Sequence, residues 1–154
     1  MRMAHFVVRD AIRPAVTATT RDGVIRELVE SLHAAGQLPN TDIDDVVRAI
    51  LRREQLGTTG IGRHIAIPHS RHAAVNQLVG TLGVSKAGVP FESIDGEPVY
   101  VVVLLISPPD RPGDHLRALE NVVHTLRDEA LVKALRAAET NDEVWTLLTG
   151  TPSP

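Results

Sequence analysis

The sequence contains no cysteine, which excludes disulfide bonds, thiolate nucleophiles and cysteine-ligated zinc or iron–sulfur sites. Aromatic residues make up only 3% of the 154 residues, too few for a base-stacking surface. Lys and Arg number 16 against 19 Asp and Glu, so the formal net charge is −3 and no polybasic stretch is present. We therefore expect no nucleic-acid partner.

Long hydrophobic runs are also missing. The longest, Val99 to Ile106, is eight residues, whereas a membrane-spanning helix needs about 20. Residues 1–10 lack the apolar core of a signal peptide. These features predict a cytoplasmic protein with no direct membrane insertion. The length and a hydrophobic content of 43% predict a single globular domain over residues 1–154.

Apolar residues at helical spacing predict five helices. Two of them precede residue 57 and begin at Asp22 and Thr41. Three follow the proline-rich segment Ser107–Gly113, and the first of these three is expected to be capped by Asp114. The remaining two are expected to begin near residues 128 and 141.

Short β-branched and apolar runs predict strands between these groups of helices, over residues 65–67, 78–85 and 99–106. Residues 99–106 read VYVVVLLI and are apolar on both faces, as in a central strand that is covered on each side. Because such a strand needs helices on both sides, we expect an α/β fold: a three-layer α/β/α sandwich with a mixed central sheet flanked by helices.

Two of the seven histidines lie where a phosphate or nucleophile site would form. His69 follows the first predicted strand and Pro68, at a strand end, and a neutral imidazole there has a nucleophilic nitrogen near pH 7. His115 lies at the predicted start of a helix, where N–H groups and the helix dipole favour an anion. Each could equally be a histidine with no catalytic or binding role.

Arg53 ends the second predicted helix, directly before the flexible segment GTTGIG at residues 57–62. Its guanidinium would stabilise the helix dipole, and it is equally suited to neutralise a phosphate. The segment resembles a phosphate-cradling loop only loosely, because it lacks the Walker lysine and opens no helix. The nearby histidines His64, His69 and His72 leave a metal-dependent hydrolase open as a minor alternative.

Residues 53–70 read REQLGTTGIGRHIAIPHS. This stretch resembles the active-site signature of the enzyme IIA domains of the fructose–mannitol class in the bacterial phosphoenolpyruvate-dependent phosphotransferase system (PTS), a class that includes the nitrogen-regulatory IIA proteins. The shared features are an Arg-Glu pair, a Gly-rich loop and Ile-Ala-Ile-Pro-His. Downstream, residues 90–99 resemble the family's strand connection, and Asp114-His115-Leu116 resembles its second histidine. The resemblance covers roughly residues 8–149.

The resemblance implies that His69 accepts a phosphoryl group from the phosphocarrier HPr or a paralogue. It implies that His115 stabilises the phosphorylated site, that Arg53 neutralises charge, and that neither a metal nor a cofactor takes part. A IIB component or a regulatory target protein would be the acceptor. The residues implied to line the phosphate site are Thr58, Thr59, Gly60, Gly62 and Ser70.

Two positions depart from the family pattern. Ser70 stands where the active histidine is usually followed by glycine, and His64 replaces the glycine that usually precedes Ile65. Ser70 could donate a hydrogen bond to the phosphate. Two functions remain open: a phosphoryl carrier for sugar transport, or a regulatory module of the nitrogen-regulatory type whose phosphorylation switches partner binding. If His69 and His115 share one phosphoryl group, their rings should lie roughly 5–7 Å apart.

Overall fold

Within residues 1–150, the five predicted helices and the three predicted strands occur in the predicted order, together with two further short strands. This computed structural model describes residues 1–150, so the last four residues of the predicted domain lie outside the described part of the chain. In chain order the elements are α1 (Arg21–Ala34), α2 (Ile43–Gln55), β1 (Gly60–Gly62), β2 (Ile65–Ala66), β3 (His69–Arg71), β4 (Val79–Val89), β5 (Val99–Ser107), α3 (Pro112–Thr125), α4 (Glu129–Ala137) and α5 (Asn141–Thr149).

The central strand is β5, as its double-sided apolar pattern predicts. On one side it pairs in parallel with β2 and, further along, with β3, where His69 is opposite Leu105. On the other side it pairs antiparallel with β4. The sheet is therefore mixed, and β2 and β3 lie one after the other along the same side of β5.

Helices cover both faces of this sheet. Side chains of Val102, Leu104 and Ile106 enter the core that α1 and α2 build. The alternate side chains of Val101, Val103 and Leu105 enter a second core with α3, α4 and α5. The predicted three-layer α/β/α sandwich is confirmed. Because successive side chains of a strand point to opposite faces, the apolar residues of β5 contribute alternately to the two cores.

Two helices begin elsewhere than predicted. A 3-10 turn over Asn40–Asp42 comes first, so α2 begins at Ile43 and not at Thr41. The helix α3 begins at Pro112, and Asp114 does not cap it. Proline suits the first helical position, because it has no N–H to leave unpaired and its φ is already helical. Asp114 instead pairs within the first turns with Arg117.

Part of the segment predicted as a flexible loop is a strand. Gly60–Gly62 pairs antiparallel with β2 and forms the outer strand of a hairpin. The strand expected to end at Pro68 resumes as β3 after it, because proline removes one N–H from the ladder without preventing the next residues from pairing. No helix within residues 1–150 is long and apolar enough to cross a membrane.

Candidate functional site

His69 is the first residue of β3, directly after Pro68. The Pro68 carbonyl still accepts a hydrogen bond from Leu105 N–H at 3.0 Å, so the backbone below the histidine stays attached to the central strand. His69 is paired with Leu105, and paired residues of parallel strands project to the same face. The imidazole therefore lies on the α3 side of the sheet, on a rigid strand and not at a free strand end.

The tautomer of His69 follows from one hydrogen bond. Its Nδ1 lies 2.7 Å from the carbonyl oxygen of Ile67. A carbonyl oxygen only accepts, so Nδ1 donates its proton and Nε2 carries the free lone pair. Burial lowers the pKa of His69; the bond to Ile67 opposes this, while the charge of Arg53 adds to it. The neutral, nucleophilic form of the ring is therefore favoured.

His115 lies beside it. The two ring centroids are 5.2 Å apart with a tilt of 59°, within the range expected for a shared phosphoryl group. His115 is the fourth residue of α3, and its backbone N–H donates to the Arg111 carbonyl at 3.2 Å. That N–H is therefore engaged, unlike the free first-turn groups that the sequence predicted. What His115 offers a ligand is its ring.

The His115 ring is neutral at pH 7. Burial, together with smaller contributions from the neighbouring His69 and Arg71, lowers its pKa to about 4. Its Nδ1 is hydrogen-bonded to the hydroxyl of Ser107, a fully buried residue at the end of β5. A neutral imidazole can still donate one N–H to an anion without carrying a charge of its own.

Arg53 reaches the site from the last turn of α2. Its Nη1 donates to the carbonyl of Gly57 at 2.9 Å, which ties the guanidinium to the start of the loop. Its influence on the pKa of His69 shows that the positive charge lies within electrostatic range of the imidazole. The role of Arg53 in transfer stays a prediction.

The next residue, Glu54, fastens the loop to the helix. Its carboxylate is 4% exposed and accepts hydrogen bonds from the backbone N–H of Thr59, at 3.2 Å, and from the Thr59 hydroxyl. The Thr59 carbonyl in turn accepts from Ile67 N–H at 3.0 Å. A buried carboxylate held by two donors therefore links α2 to the residues immediately before His69.

The predicted phosphate-loop residues carry structural contacts of their own. Thr58 donates its hydroxyl to the Phe91 carbonyl at 2.6 Å and accepts from Gly60 N–H at 3.0 Å. A Cβ on Gly60 would lie 3.1 Å from Ser93 Cα, so this position has no room for a side chain. These bonds engage the threonine hydroxyls within the protein, and their role toward a phosphate stays a prediction.

Ser70 and Gly62 are less directly placed. Ser70 follows His69 in β3 and therefore projects to the opposite face of the sheet, where its hydroxyl donates to the Arg71 carbonyl at 3.1 Å. Gly62 ends β1 with a φ of 92°, a conformation that favours glycine. The phosphate contacts implied for Ser70 and Gly62 stay predictions.

The three clustered histidines do not form one site. His64 Nδ1 donates to the Pro98 carbonyl at 2.8 Å, and its ring stands edge-on to Tyr100. His72 Nε2 is 2.6 Å from Asp45. Within residues 1–150, no three histidine, aspartate or glutamate side chains are grouped as a metal ion would require. The geometry therefore gives the hydrolase alternative no support.

His64 has a backbone conformation that glycine adopts more readily than other residues. Its φ is 69°, and that of the preceding Arg63 is 57°, both in the left-handed region. Each such residue costs about 1 kcal/mol relative to glycine. The bond from His64 to Pro98 and the contact with Tyr100 hold this turn in place.

Sequence reasoning missed two residues of the site, Arg71 and Ser107. Arg71 lies two residues after His69 on the same strand, so both side chains project to the same face of the sheet. The two-residue spacing in the sequence could have indicated this, had a strand been predicted after Pro68. The Arg71 guanidinium makes no ion pair within residues 1–150. Ser107 faces Arg71 across the ladder and contacts His115, but nothing local in the sequence marks it.

Comparison with known proteins agrees with this geometry. The family model described as "Phosphoenolpyruvate-dependent sugar phosphotransferase system, EIIA 2" matches residues 5–150. A nitrogen regulatory protein of Bradyrhizobium diazoefficiens is 32% identical over 153 residues, which are 99% of this chain and 98% of that protein. The fructose-specific PTS EIIABC component of Bacillus subtilis is 34% identical over 96% of this chain, which spans 23% of that relative.

Among solved structures, the nitrogen regulatory protein IIA-Ntr of Neisseria meningitidis superimposes with a TM-score of 0.84 at 26% identity, covering 96% of this chain and 99% of that one. The family match extends over nearly all of the described residues, including both histidines and the loop before them. The chain therefore belongs to the EIIA type 2 family of the phosphoenolpyruvate-dependent sugar phosphotransferase system.

Proposed function

We propose that residues 1–154 act as one IIA domain that accepts a phosphoryl group on Nε2 of His69 from an HPr-type phosphocarrier. The observation that carries this proposal is the pair of neutral imidazoles 5.2 Å apart, one of which has its Nδ1 proton committed to the Ile67 carbonyl. The free lone pair of His69 is the nucleophile, and the second ring lies where the transferred group would be.

In the transfer step, the Nε2 lone pair of His69 forms a bond to phosphorus as the N–P bond of the donor phosphohistidine breaks. The electron pair of the broken bond returns to the donor imidazole. His69 keeps its Nδ1 proton, which continues to donate to Ile67, so the positive charge on the phosphorylated ring is delocalised toward a carbonyl dipole. Such a transfer depends mainly on positioning and charge stabilisation.

The charge of the transferred group is about −2. Arg53 is within electrostatic range of His69, and Arg71 is within electrostatic range of His115. Neither guanidinium is paired with a carboxylate within residues 1–150, so both positive charges are available. The two guanidinium groups offset the negative charge of the phosphoryl group, so neither imidazole has to be protonated to do so.

Exposed apolar side chains around these segments favour a protein as donor and acceptor. Four of the five large hydrophobic side chains exposed within residues 1–150 belong to the segments that build the site or, for Ile94, to the loop bonded to Gly60: Leu56, Ile61, Ile94 and Leu116. Leu56 is 85% exposed just after Arg53 and Glu54, and Leu116 is 58% exposed next to His115. Exposed apolar side chains near a polar centre are typical of a macromolecular docking surface.

The acceptor is either a IIB component or a regulatory target. The relative named a fructose-specific EIIABC component supports the first possibility. A second candidate function, a regulatory module whose phosphorylation switches partner binding, is supported by the nitrogen regulatory relative that matches over 98% of its own length. Both share the acceptance step on His69, and they differ in whether the phosphoryl group moves on.

The test begins with phosphoenolpyruvate, enzyme I and an HPr-type carrier. The chain is expected to gain one acid-labile phosphoryl group, and fragmentation at neutral pH should place it on His69. Label on His115 or His64 with none on His69 would contradict the proposal. Adding a purified fructose-type IIB domain then separates the two functions, because a carrier loses its label to IIB and a purely regulatory module retains it.

Arg53 is expected to speed transfer without accepting phosphate. Replacing it with alanine removes both the charge near His69 and the tie to Gly57. We expect phosphoryl acceptance to slow by roughly 10- to 100-fold, as for loss of one charge-assisted contact in a transition state. Arg53→Lys keeps the charge but not the planar fork, and should be slowed less. The measurement is the single-turnover rate of labelling by the phosphorylated carrier.

Arg52 provides a matched control for this comparison. It is the neighbouring arginine of the same helix turn, it is exposed, and no ion pair joins it to the site. Arg52→Ala should label at close to the wild-type rate. Equal rates for Arg53→Ala and the wild type would show that Arg53 only caps the helix.

A further inference from the structure

A fully buried hydroxyl lies behind the second histidine. Ser107 is the last residue of β5, is 0% exposed, and its Oγ contacts Nδ1 of His115. No other group within residues 1–150 accepts from or donates to this hydroxyl. The single contact therefore decides both where the serine proton goes and which nitrogen of the histidine carries the ring proton.

Two arrangements satisfy the contact, and they are not equal in cost. If Nδ1 of His115 donated to Ser107, the serine proton would be a buried donor with no acceptor. If Ser107 donates to Nδ1, only an oxygen lone pair is left unused. Unpaired buried donors are rarer and more costly in proteins than partly unused acceptors, which favours the second arrangement.

We propose that Ser107 is a positioning residue that donates to Nδ1 of His115 and thereby fixes the Nε2–H tautomer of that ring. This inference rests on the proposed function, because the Nε2–H group is the one that would meet the phosphoryl oxygens. Those oxygens only accept hydrogen bonds. In the opposite tautomer, the Nε2 lone pair would face them and repel them.

The fold places Ser107 for this task. It is paired across the ladder with Arg71, which lies two residues beyond His69. The pairing of β3 with β5 therefore fixes the position of the serine relative to the nucleophile. The hydroxyl thus connects the sheet to the first turns of α3. Ser107 touches no reacting atom, and its effect passes entirely through the orientation and protonation of His115.

The tautomer can be read directly on the unphosphorylated protein. Long-range ¹H–¹⁵N correlation spectra of uniformly ¹⁵N-labelled protein distinguish Nε2–H from Nδ1–H imidazoles, and His115→Asn assigns the signal. We expect the wild-type His115 to be the Nε2–H form. In Ser107→Ala the signal should shift toward a mixture of tautomers, and in Ser107→Thr, which keeps the hydroxyl, it should stay Nε2–H. An Nδ1–H signal in the wild type would overturn the inference.

The functional consequence is the lifetime of the phosphorylated protein. In Ser107→Ala the half-life of the label should fall by about three- to tenfold, corresponding to one weakened hydrogen bond to an anion. The matched control is Ser85→Ala. Ser85 is another buried strand serine, and its hydroxyl accepts a hydrogen bond from Gly88 N–H at 3.0 Å and none from either histidine. Its replacement should leave the tautomer and the half-life unchanged.

The outcomes separate the two proposals. An unchanged tautomer and half-life in a folded Ser107→Ala variant would overturn the role of Ser107 while leaving acceptance on His69 intact. Absence of any label on wild-type His69 would overturn the proposed function, and the tautomer spectra would still decide what Ser107 does. Thermal unfolding of each variant shows whether it is folded before either measurement.

Discussion

Replacing His69 with glutamine is expected to abolish phosphoryl acceptance while leaving the fold intact. The Nε2 lone pair of His69 is the proposed nucleophile, and an amide nitrogen has no comparable lone pair. Glutamine keeps a polar side chain of similar size at this position, although its amide lies where Nε2 was and the bond from Nδ1 to the Ile67 carbonyl, seen at 2.7 Å, is lost. Labelling should fall to the level of a control reaction that lacks the phosphorylated carrier, and the free energy of unfolding should change by no more than about 2 kcal/mol.

His124→Gln is the matched control for this change. His124 is an exposed histidine on α3, the helix that also carries His115. Its replacement should leave the rate and the site of labelling unchanged. Acid-labile phosphate that persists in His69→Gln, on any other histidine, would mean that the nucleophile has been misassigned.

The layers of this fold could be predicted because one strand carries most of the information. The run VYVVVLLI is apolar at every position that faces either core, so it needed cover on both sides, and it lies at the centre of the sheet. The neighbouring short strands could not be predicted as well. Gly60–Gly62 has no apolar alternation, and it is a strand only because β2 lies beside it.

Helix starts were predicted less accurately where local chemistry offered two solutions. Asp114 has the side chain of an N-cap, yet Pro112 starts the helix one residue after Arg111. The start of α4 was predicted correctly, because the side chain of Asp128 accepts a hydrogen bond from Leu131 N–H at 3.1 Å and so caps the helix. A capping side chain predicts that a helix begins nearby but does not determine at which residue.

The pairing of His69 with His115 came from the family signature and not from either residue alone. The two are far apart in sequence, and only the parallel pairing of β3 with β5, followed by the turn into α3, brings them to 5.2 Å. Contacts that depend on register across the sheet have no local sequence signal. Ser107 went unnoticed for that reason, as did the neighbouring charge of Arg71.

The buried carboxylate of Glu54 illustrates the same limit. The signature contains an Arg-Glu pair, and the sequence suggested a role only for the arginine. In the structure Glu54 binds Thr59 through backbone and side chain, so part of the pair serves to hold the loop in place. A charged residue in a motif can act on the protein itself as well as on a ligand.

Replacing His115 with alanine should spare acceptance on His69 but slow the onward transfer of the phosphoryl group. The neutral ring, with a pKa lowered to about 4, cannot act as an acid near pH 7 and contributes one N–H donor to the phosphoryl oxygens. Removal of a single preorganised donor of this kind costs roughly 10²–10³ in rate. We expect onward transfer to fall by about this factor, measured by chase of the labelled protein with an acceptor domain.

A conservative variant distinguishes hydrogen bonding from packing at this position. Glutamine can present an N–H near the position of Nε2, so His115→Gln should recover part of the transfer rate lost in His115→Ala. If the ring only filled space, His115→Leu, which has a similar volume, would recover at least as much of the rate as His115→Gln. Label that moves from His69 to His115 in the wild type would reverse the assigned roles, because a ring that accepts the phosphoryl group cannot also be its neutral hydrogen-bond donor.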